Sequence, residues 1–204
     1  MTGSMEIQFN IAKGRESGMP EQDCWEAFFD PECALRRMGL AQGMRTIEFG
    51  SGYGTFAIPA ATICQQLVVG LDIDPAMVDS ARERALMQGA LNTRFVSRDV
   101  MLEGCGESDV SFDFAIMFNI LHIEQPELLL QESYRVLRPG DLLAIMHWRT
   151  DQTTPRGPSL SIRPTREQCR TWGESAGFEF VRNVELDCCQ WHWGLVLHRP
   201  HRKL

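Results

Sequence analysis

From Arg45 onward, short apolar runs of strand length alternate with helix-length segments, and capping or turn residues separate them. This alternation predicts a parallel sheet with helices on both faces. The expected strands are Arg45 to Phe49, Leu67 to Leu71, Thr93 to Ser97, Phe112 to Phe118 and Leu142 to Trp148. Between them the pattern predicts helices from about Tyr53 to Gln65, from Asp74-Pro75 to about Gln88, and from Gln125 to Leu137. Proline at the first turn favours the starts of the second and third helices, and Arg138-Pro139-Gly140 is expected to stop the third. Residues 150–164 then form a polar, proline-bearing loop, and Thr165 to Ala176 reads as a capped helix stopped by Gly177. The runs Glu179 to Leu186 and Trp191 to His198 are close enough to pair as an antiparallel hairpin.

Ahead of this core, residues 1–20 show no apolar periodicity and are expected to be flexible. Glu21 to Phe29 sets Trp25, Phe28 and Phe29 at helical spacing, and Asp30-Pro31 supplies an N-cap and a first-turn proline for a second helix. A helical cap over 21–40 and a core over 45–198 are thus expected within a single domain, 21–204. The total of 204 residues, 44% of them hydrophobic, suits one core.

A net charge of −7 would repel a phosphate backbone, so a nucleic-acid substrate is not expected. The most apolar stretch, Phe112 to Ile123, is interrupted by Asp113 and Asn119 and is too short to span a bilayer. The seven cysteines are odd in number, and no basic start followed by an apolar run suggests export. Free thiols and a cytoplasmic location are the expectation. Cys188-Cys189 with His192 offers metal-binding atoms, but strand alternation would send the two thiols to opposite faces, and no metal site is expected.

The strongest chemical signal is Glu48-Phe49-Gly50-Ser51-Gly52-Tyr53-Gly54, at the junction of the first strand and its helix. Glycines at alternate positions let the backbone turn sharply and admit a ligand to main-chain N–H groups. Asp72 closes the second strand about 20 residues later, where a carboxylate can accept hydrogen bonds from both ribose hydroxyls. Asp74 is accounted for as the N-cap of the next helix. The dinucleotide pattern needs a glycine where Thr55 stands, which argues against a nicotinamide enzyme. Glu48 would oppose a pyrophosphate but suits a ligand carrying ammonium and sulfonium charges.

Glu48-x-Gly50-x-Gly52-x-Gly54, Gly70-Leu71-Asp72, Arg98-Asp99-Val100, Phe112-Asp113 leading to Phe118-Asn119, and Arg135 to Gly140 together resemble the successive motifs of class I S-adenosylmethionine-dependent methyltransferases. The subgroup resembled is that of the small single-domain methyltransferases of type 11 or 25. The resemblance covers roughly residues 45–198. It implies a Rossmann-like sheet of seven strands in the order 3-2-1-4-5-7-6, with the seventh antiparallel. It implies S-adenosylmethionine as cofactor and S-adenosylhomocysteine as product. Gly50, Ser51, Gly52 and Gly54 would hold the methionine part, with Glu48 orienting the loop and the amino group. Asp72 would bind the ribose, Ile73 would pack on the adenine, Asp99 would accept from the adenine amine, and Val100 would add a backbone contact. Phe118 and Asn119 would line the methyl end.

Methyl transfer demands in-line geometry more than a base. If the nucleophile carries a proton, His122 and Glu124, just past the fourth strand, are the candidate bases, although His122 also suits a purely structural place in the loop. Trp25, Phe28, Phe29 and Met19 suit either an aromatic lid or a buried stripe. His147, ending the fifth strand with Trp148, suits a substrate-facing position or core packing. A small-molecule methyl acceptor is the leading expectation. A protein or RNA methyltransferase and a non-catalytic S-adenosylmethionine-binding protein are the alternatives.

Overall fold

The computed structural model describes residues 20–201. The flexible segment expected over residues 1–20, apart from Pro20, and the lid position of Met19 lie outside the described residues.

Seven strands form one sheet: β1 (Thr46–Phe49), β2 (Val68–Asp72), β3 (Thr93–Ser97), β4 (Phe112–Phe118), β5 (Leu137–Trp148), β6 (Glu179–Val184) and β7 (His192–His198). Their order is β3-β2-β1-β4-β5-β7-β6, the order the resemblance implies. The first five run parallel and β7 is antiparallel to both neighbours. The helices are α1 (Gln22–Glu26), α2 (Pro31–Met38), α3 (Ala57–Cys64), α4 (Pro75–Met87), α5 (Val100–Glu103), α6 (Pro126–Val136) and α7 (Arg166–Ser175).

Alternation along the strands divides the interior into two apolar clusters. Phe114, Ile116 and Phe118 of β4 join Leu35, Met38 and Phe56 in one cluster. Ala115 and Met117 join Ile47, Phe49 and Leu130 in the other. Phe112 breaks parity with Phe114 because the pairing with β5 shifts register between them. By the same alternation Ile47 and Phe49 of β1 belong to the second cluster, which leaves Glu48 on the opposite face of the sheet.

Capping chemistry sets several helix starts as the sequence predicts. Asp30 accepts from Cys33 N at 3.0 Å, Asp74 from Ala76 N at 2.9 Å, and Thr165 and Gln168 form a reciprocal capping box. Other bounds differ. α1 ends at Glu26 rather than Phe29, and α3 starts at Ala57 rather than Tyr53, because Gly52 and Gly54 both take left-handed φ. β5 starts at Leu137, not Leu142, and Arg138-Pro139-Gly140 forms a bulge within it, with Gly140 at φ 95° and the pairing with β4 resuming at Leu142. Arg199 causes this: its carbonyl accepts from Gly140 N at 2.6 Å, and its Nη1 donates to the carbonyls of Tyr134, Arg135 and Leu137.

Two expectations about the cysteines are corrected. Cys33 on α2 and Cys188 form a disulfide with Cα atoms 6.4 Å apart, so the thiols are not all free, and the thiol argument for a cytoplasmic location falls. Cys188 and Cys189 lie in a 3-10 turn rather than a strand, so alternation is not what separates them. Among the described residues, no group of three or more metal-ligating side chains comes together. No described helix is long and apolar enough to cross a membrane.

Candidate active site

A cavity of about 810 Å³ opens at the carboxyl ends of β1, β2, β4 and β5, large for a small-molecule site. At one end lies the glycine turn. Gly50 N and Ser51 N both donate to Leu71 O at 2.8 Å, which ties the turn to β2, while Gly50, Gly52 and Gly54 all have φ between 48° and 75°. A Cβ on Gly50 would strike Ile120. Gly50, Ser51 and Gly52 line the cavity. Gly54 does not: it packs inward, where a Cβ would meet Ile58 and Phe95 at about 3 Å.

Asp72 ends β2 at the cavity wall. Its Oδ2 accepts from Gly52 N at 2.7 Å and its Oδ1 from Asp74 N at 3.0 Å, so one carboxylate joins the turn to the next helix. Burial raises its pKa, against the pull of those two N–H groups. Ile73 and Val100 also line the cavity. Asp99 lines it too, and its Oδ1 caps α5, a helix the sequence reading missed, by accepting from Met101 N and Leu102 N.

Glu48 is 2% exposed, its Oε2 has no partner among the described residues, and burial pushes its pKa well above the usual carboxylate range. Ser51 Oγ and both polar side-chain atoms of Asn119 are likewise buried and unpaired among the described residues. Asn119 follows β4 with φ 57°, a left-handed value that asparagine tolerates better than most side chains. All three residues line the same cavity, with Phe118 beside them.

The rest of the wall is aromatic and basic. Trp25, Phe56, Phe118 and Trp148 line it, with Trp25 and Trp148 rings 6.4 Å apart and Phe56 and Phe118 rings 4.9 Å apart. Phe29 is one shell back, packed on Phe56, Trp148 and His192. The cap is fastened to the glycine turn: Glu26 pairs with Arg84 at 2.6 Å and accepts from Thr55 Oγ1 at 3.2 Å, while Tyr53 Oη donates to Pro20 O at 3.1 Å.

His122 lines the cavity, with Nδ1 3.2 Å from Nε2 of His147. Burial pushes the His122 pKa down to about 4, and Arg163 adds to the effect. His147 is fully buried behind His122 rather than on the wall, and burial holds it well below the usual histidine range. Glu124 is exposed and is not part of the cavity wall. Sequence reasoning missed the loop Arg156 to Ser159, with Ile162, which closes this side. It also missed Arg163, whose Nε, Nη1 and Nη2 donate to the carbonyls of Pro158, Arg149 and Arg156 at 2.8, 2.9 and 3.2 Å.

Residues 47–140 match a methyltransferase domain family. A crystal structure of a SAM-dependent methyltransferase from Aquifex aeolicus superposes with a TM-score of 0.77 at 25% identity, covering 88% of this chain and 94% of that one. The partial family match and this superposition support a class I S-adenosylmethionine-dependent methyltransferase of type 11/25. It is 25% identical to sterol 24-C-methyltransferase erg6 of Aspergillus fumigatus over 179 residues, 78% of this chain and 47% of that protein. It is 39% identical to the ubiquinone/menaquinone biosynthesis C-methyltransferase UbiE of Brucella anthropi over 93 residues, 45% of this chain and 35% of that protein. The chain thus spans less than half the length of these two curated relatives.

The family's cofactor, S-adenosylmethionine, fits the donor set present. An α-amino-acid end needs an acceptor for its ammonium and donors for its carboxylate, and among the described residues lining the cavity Glu48 Oε2, Ser51 Oγ and the Asn119 amide are the buried side-chain atoms that lack partners. The ammonium would also offset the cost of an ionised Glu48 in a dry site.

Proposed function

We propose that this chain methylates a small organic acceptor and that residues 21–204 form a single methyltransferase domain, its cap over 21–40 closing a core over 45–198. S-adenosylmethionine, when bound, supplies a methyl group on a sulfonium and leaves as S-adenosylhomocysteine. Glu48, Ser51 and Asn119 hold the methionine end, Asp72 takes the ribose hydroxyls, and Ile73, Asp99 and Val100 bound the adenine. Gly50 and Gly52 keep the turn free of side chains where the ligand approaches. Trp25, Phe118 and Trp148 exclude water and fix the line of approach, the main contribution an enzyme makes to in-line displacement. His122 accepts a hydrogen bond from the acceptor, with His147 behind it. The observation that carries this reading is the convergence of unpaired polar atoms from Glu48, Ser51 and Asn119 on one cavity wall beside Asp72.

Sterol and quinone methyltransferases among the relatives support a small-molecule acceptor, and the net charge of −7 argues against nucleic acid. The test is transfer of labelled methyl from S-adenosylmethionine into a metabolite extract, an RNA fraction and a protein fraction. Label in the metabolite fraction alone is expected. Label in RNA or protein would replace the small-molecule assignment, and binding without transfer to any fraction would replace the enzyme by a ligand-binding protein.

A further inference from the structure

Carboxylates are unevenly distributed around the cavity. Among the described residues lining it, the only ones are Glu48, Asp72 and Asp99, all on β1, β2 or the turn after β3. The opposite side, from the ends of β4 and β5 and the loop after β5, presents His122, Arg156 and the rings of Trp25 and Trp148. Behind it sits Arg163, 8% exposed, with no described carboxylate paired to it and all three guanidinium nitrogens donating to neutral carbonyls. Such bonds satisfy the N–H groups but leave the charge uncompensated. It lies against the wall, its guanidinium 5.7 Å from the Trp148 ring, and it adds to the burial that holds His122, His147 and His192 toward their neutral forms.

We propose, building on the methyltransferase reading above, that the acceptor is a flat apolar molecule whose nucleophile is a neutral or anionic oxygen held by Nε2 of His122, and that Arg163 excludes cationic amines. An ammonium would enter against Arg163 and Arg156 and would find no carboxylate on this side. Aromatic walls do attract cations, but the Trp148 ring already lies 5.7 Å from the Arg163 guanidinium, so that attraction is largely in use. A hydroxyl or an oxyanion meets favourable charge, and neutral His122 serves either one. It accepts from a hydroxyl through the bare Nε2 when Nδ1–H donates to His147, and it donates Nε2–H to an oxyanion when the proton between the two rings sits on His147. Arg163 is thus a specificity-determining residue that touches no reacting atom.

The experiment uses three ligands matched in ring size: 2-naphthol, 2-naphthoate and 2-naphthylmethylamine. Each is titrated by calorimetry at pH 7.5 into the full chain saturated with S-adenosylhomocysteine. Naphthol and naphthoate are expected to bind at least tenfold tighter than the amine. In an Arg163→Gln variant, which keeps side-chain donors for the loop carbonyls, the amine should come within threefold of naphthoate. An amine that binds wild type as tightly as the oxygen ligands overturns the proposal, as does a failure of all three to bind. Should Arg163→Gln fail to fold, the wild-type ranking decides alone. The first titration, of S-adenosylhomocysteine itself, tests the methyltransferase reading separately, since no binding there would remove that reading before any acceptor is added.

Discussion

Replacing His192 by phenylalanine should remove one buried histidine's share of the acid sensitivity of the fold, to which His122 and His147 also contribute. The His192 ring is 3% exposed, lies 4.2 Å from Trp148 and 4.7 Å from Phe29 between ring centroids, and among the described residues neither of its nitrogens has a hydrogen-bond partner. Burial lowers its pKa from 6.5 to about 3, with Arg163 acting in the same direction. At pH 7.5 the ring is neutral in the folded and unfolded chains alike and makes no pH-linked contribution. Below pH 6.5 the unfolded chain takes up a proton that the folded chain refuses, so stability falls, and the fall continues until pH reaches the folded value of about 3. At pH 5.0 the penalty is about 2 kcal/mol, from about 1.4 kcal/mol per pH unit. Urea unfolding of both proteins, followed by circular dichroism at pH 7.5 and 5.0, measures it. Each protein serves as its own reference, so any packing change from the larger ring cancels. Wild type should lose about 2 kcal/mol more than the variant between the two pH values. Equal losses would refute the reasoning and mean that water reaches the His192 nitrogens in the folded state.

Asp72→Ala should weaken S-adenosylmethionine binding about 100-fold or more, because two charge-assisted bonds at about 1.5 kcal/mol or more each are lost; unchanged affinity in calorimetry would count against the ribose role. Gly50→Ala sets a methyl against Ile120 at φ 75°, and should cost about 1–2 kcal/mol in thermal unfolding as well as cofactor affinity. His122→Phe should lower kcat by about 100-fold, and wild-type kcat/KM should show no histidine inflection between about pH 5.5 and 8, since His122 titrates near about 4. An inflection near 6.5 that disappears in the variant would show His122 to be solvated. Reducing the Cys33–Cys188 disulfide, which joins residues 155 apart in sequence, should lower unfolding stability by about 2–5 kcal/mol, and Cys33→Ser should make the protein indifferent to reductant.

The sheet was legible in the sequence because strand-forming runs and capping residues act locally. Asp30, Asp74 and Thr165 announce their helices within one turn of chain, and each makes the bond its position predicts. The misplaced bounds depend on distant partners. Arg138-Pro139-Gly140 carries every local mark of a turn, yet it is drawn into β5 by the backbone of Arg199, about sixty residues away. The disulfide was hidden for a related reason, since spacing does not reveal that α2 packs beside the turn before β7. Its two cysteines meet only once the cap has docked.

The same distinction divides the candidate site. On the side proposed for the cofactor, the residue types suit the backbone itself: glycine where φ is left-handed, a carboxylate where a strand ends beside the turn, and asparagine at φ 57°. Such requirements leave a local signature at Gly50 and Asp72, and Glu48 is named by its charge beside the turn, whereas Asn119 is named only through the family resemblance. On the acceptor side the wall is assembled from the cap, two strand ends and a loop held by one arginine, so no short window of sequence contains it. Arg163 illustrates the difference. Read in sequence it is a basic residue before a proline, and only the fold shows its three nitrogens closing the loop on itself. Because the loop is fastened mainly to its own carbonyls and to that of Arg149 at the end of β5, side chains at Arg156 or Ser159 can change without loosening the glycine turn. On the proposed assignment of the two walls, acceptor preference can therefore vary while cofactor binding stays constant. Substitutions at Arg156 should accordingly alter the ranking of acceptors and leave S-adenosylmethionine affinity as it is.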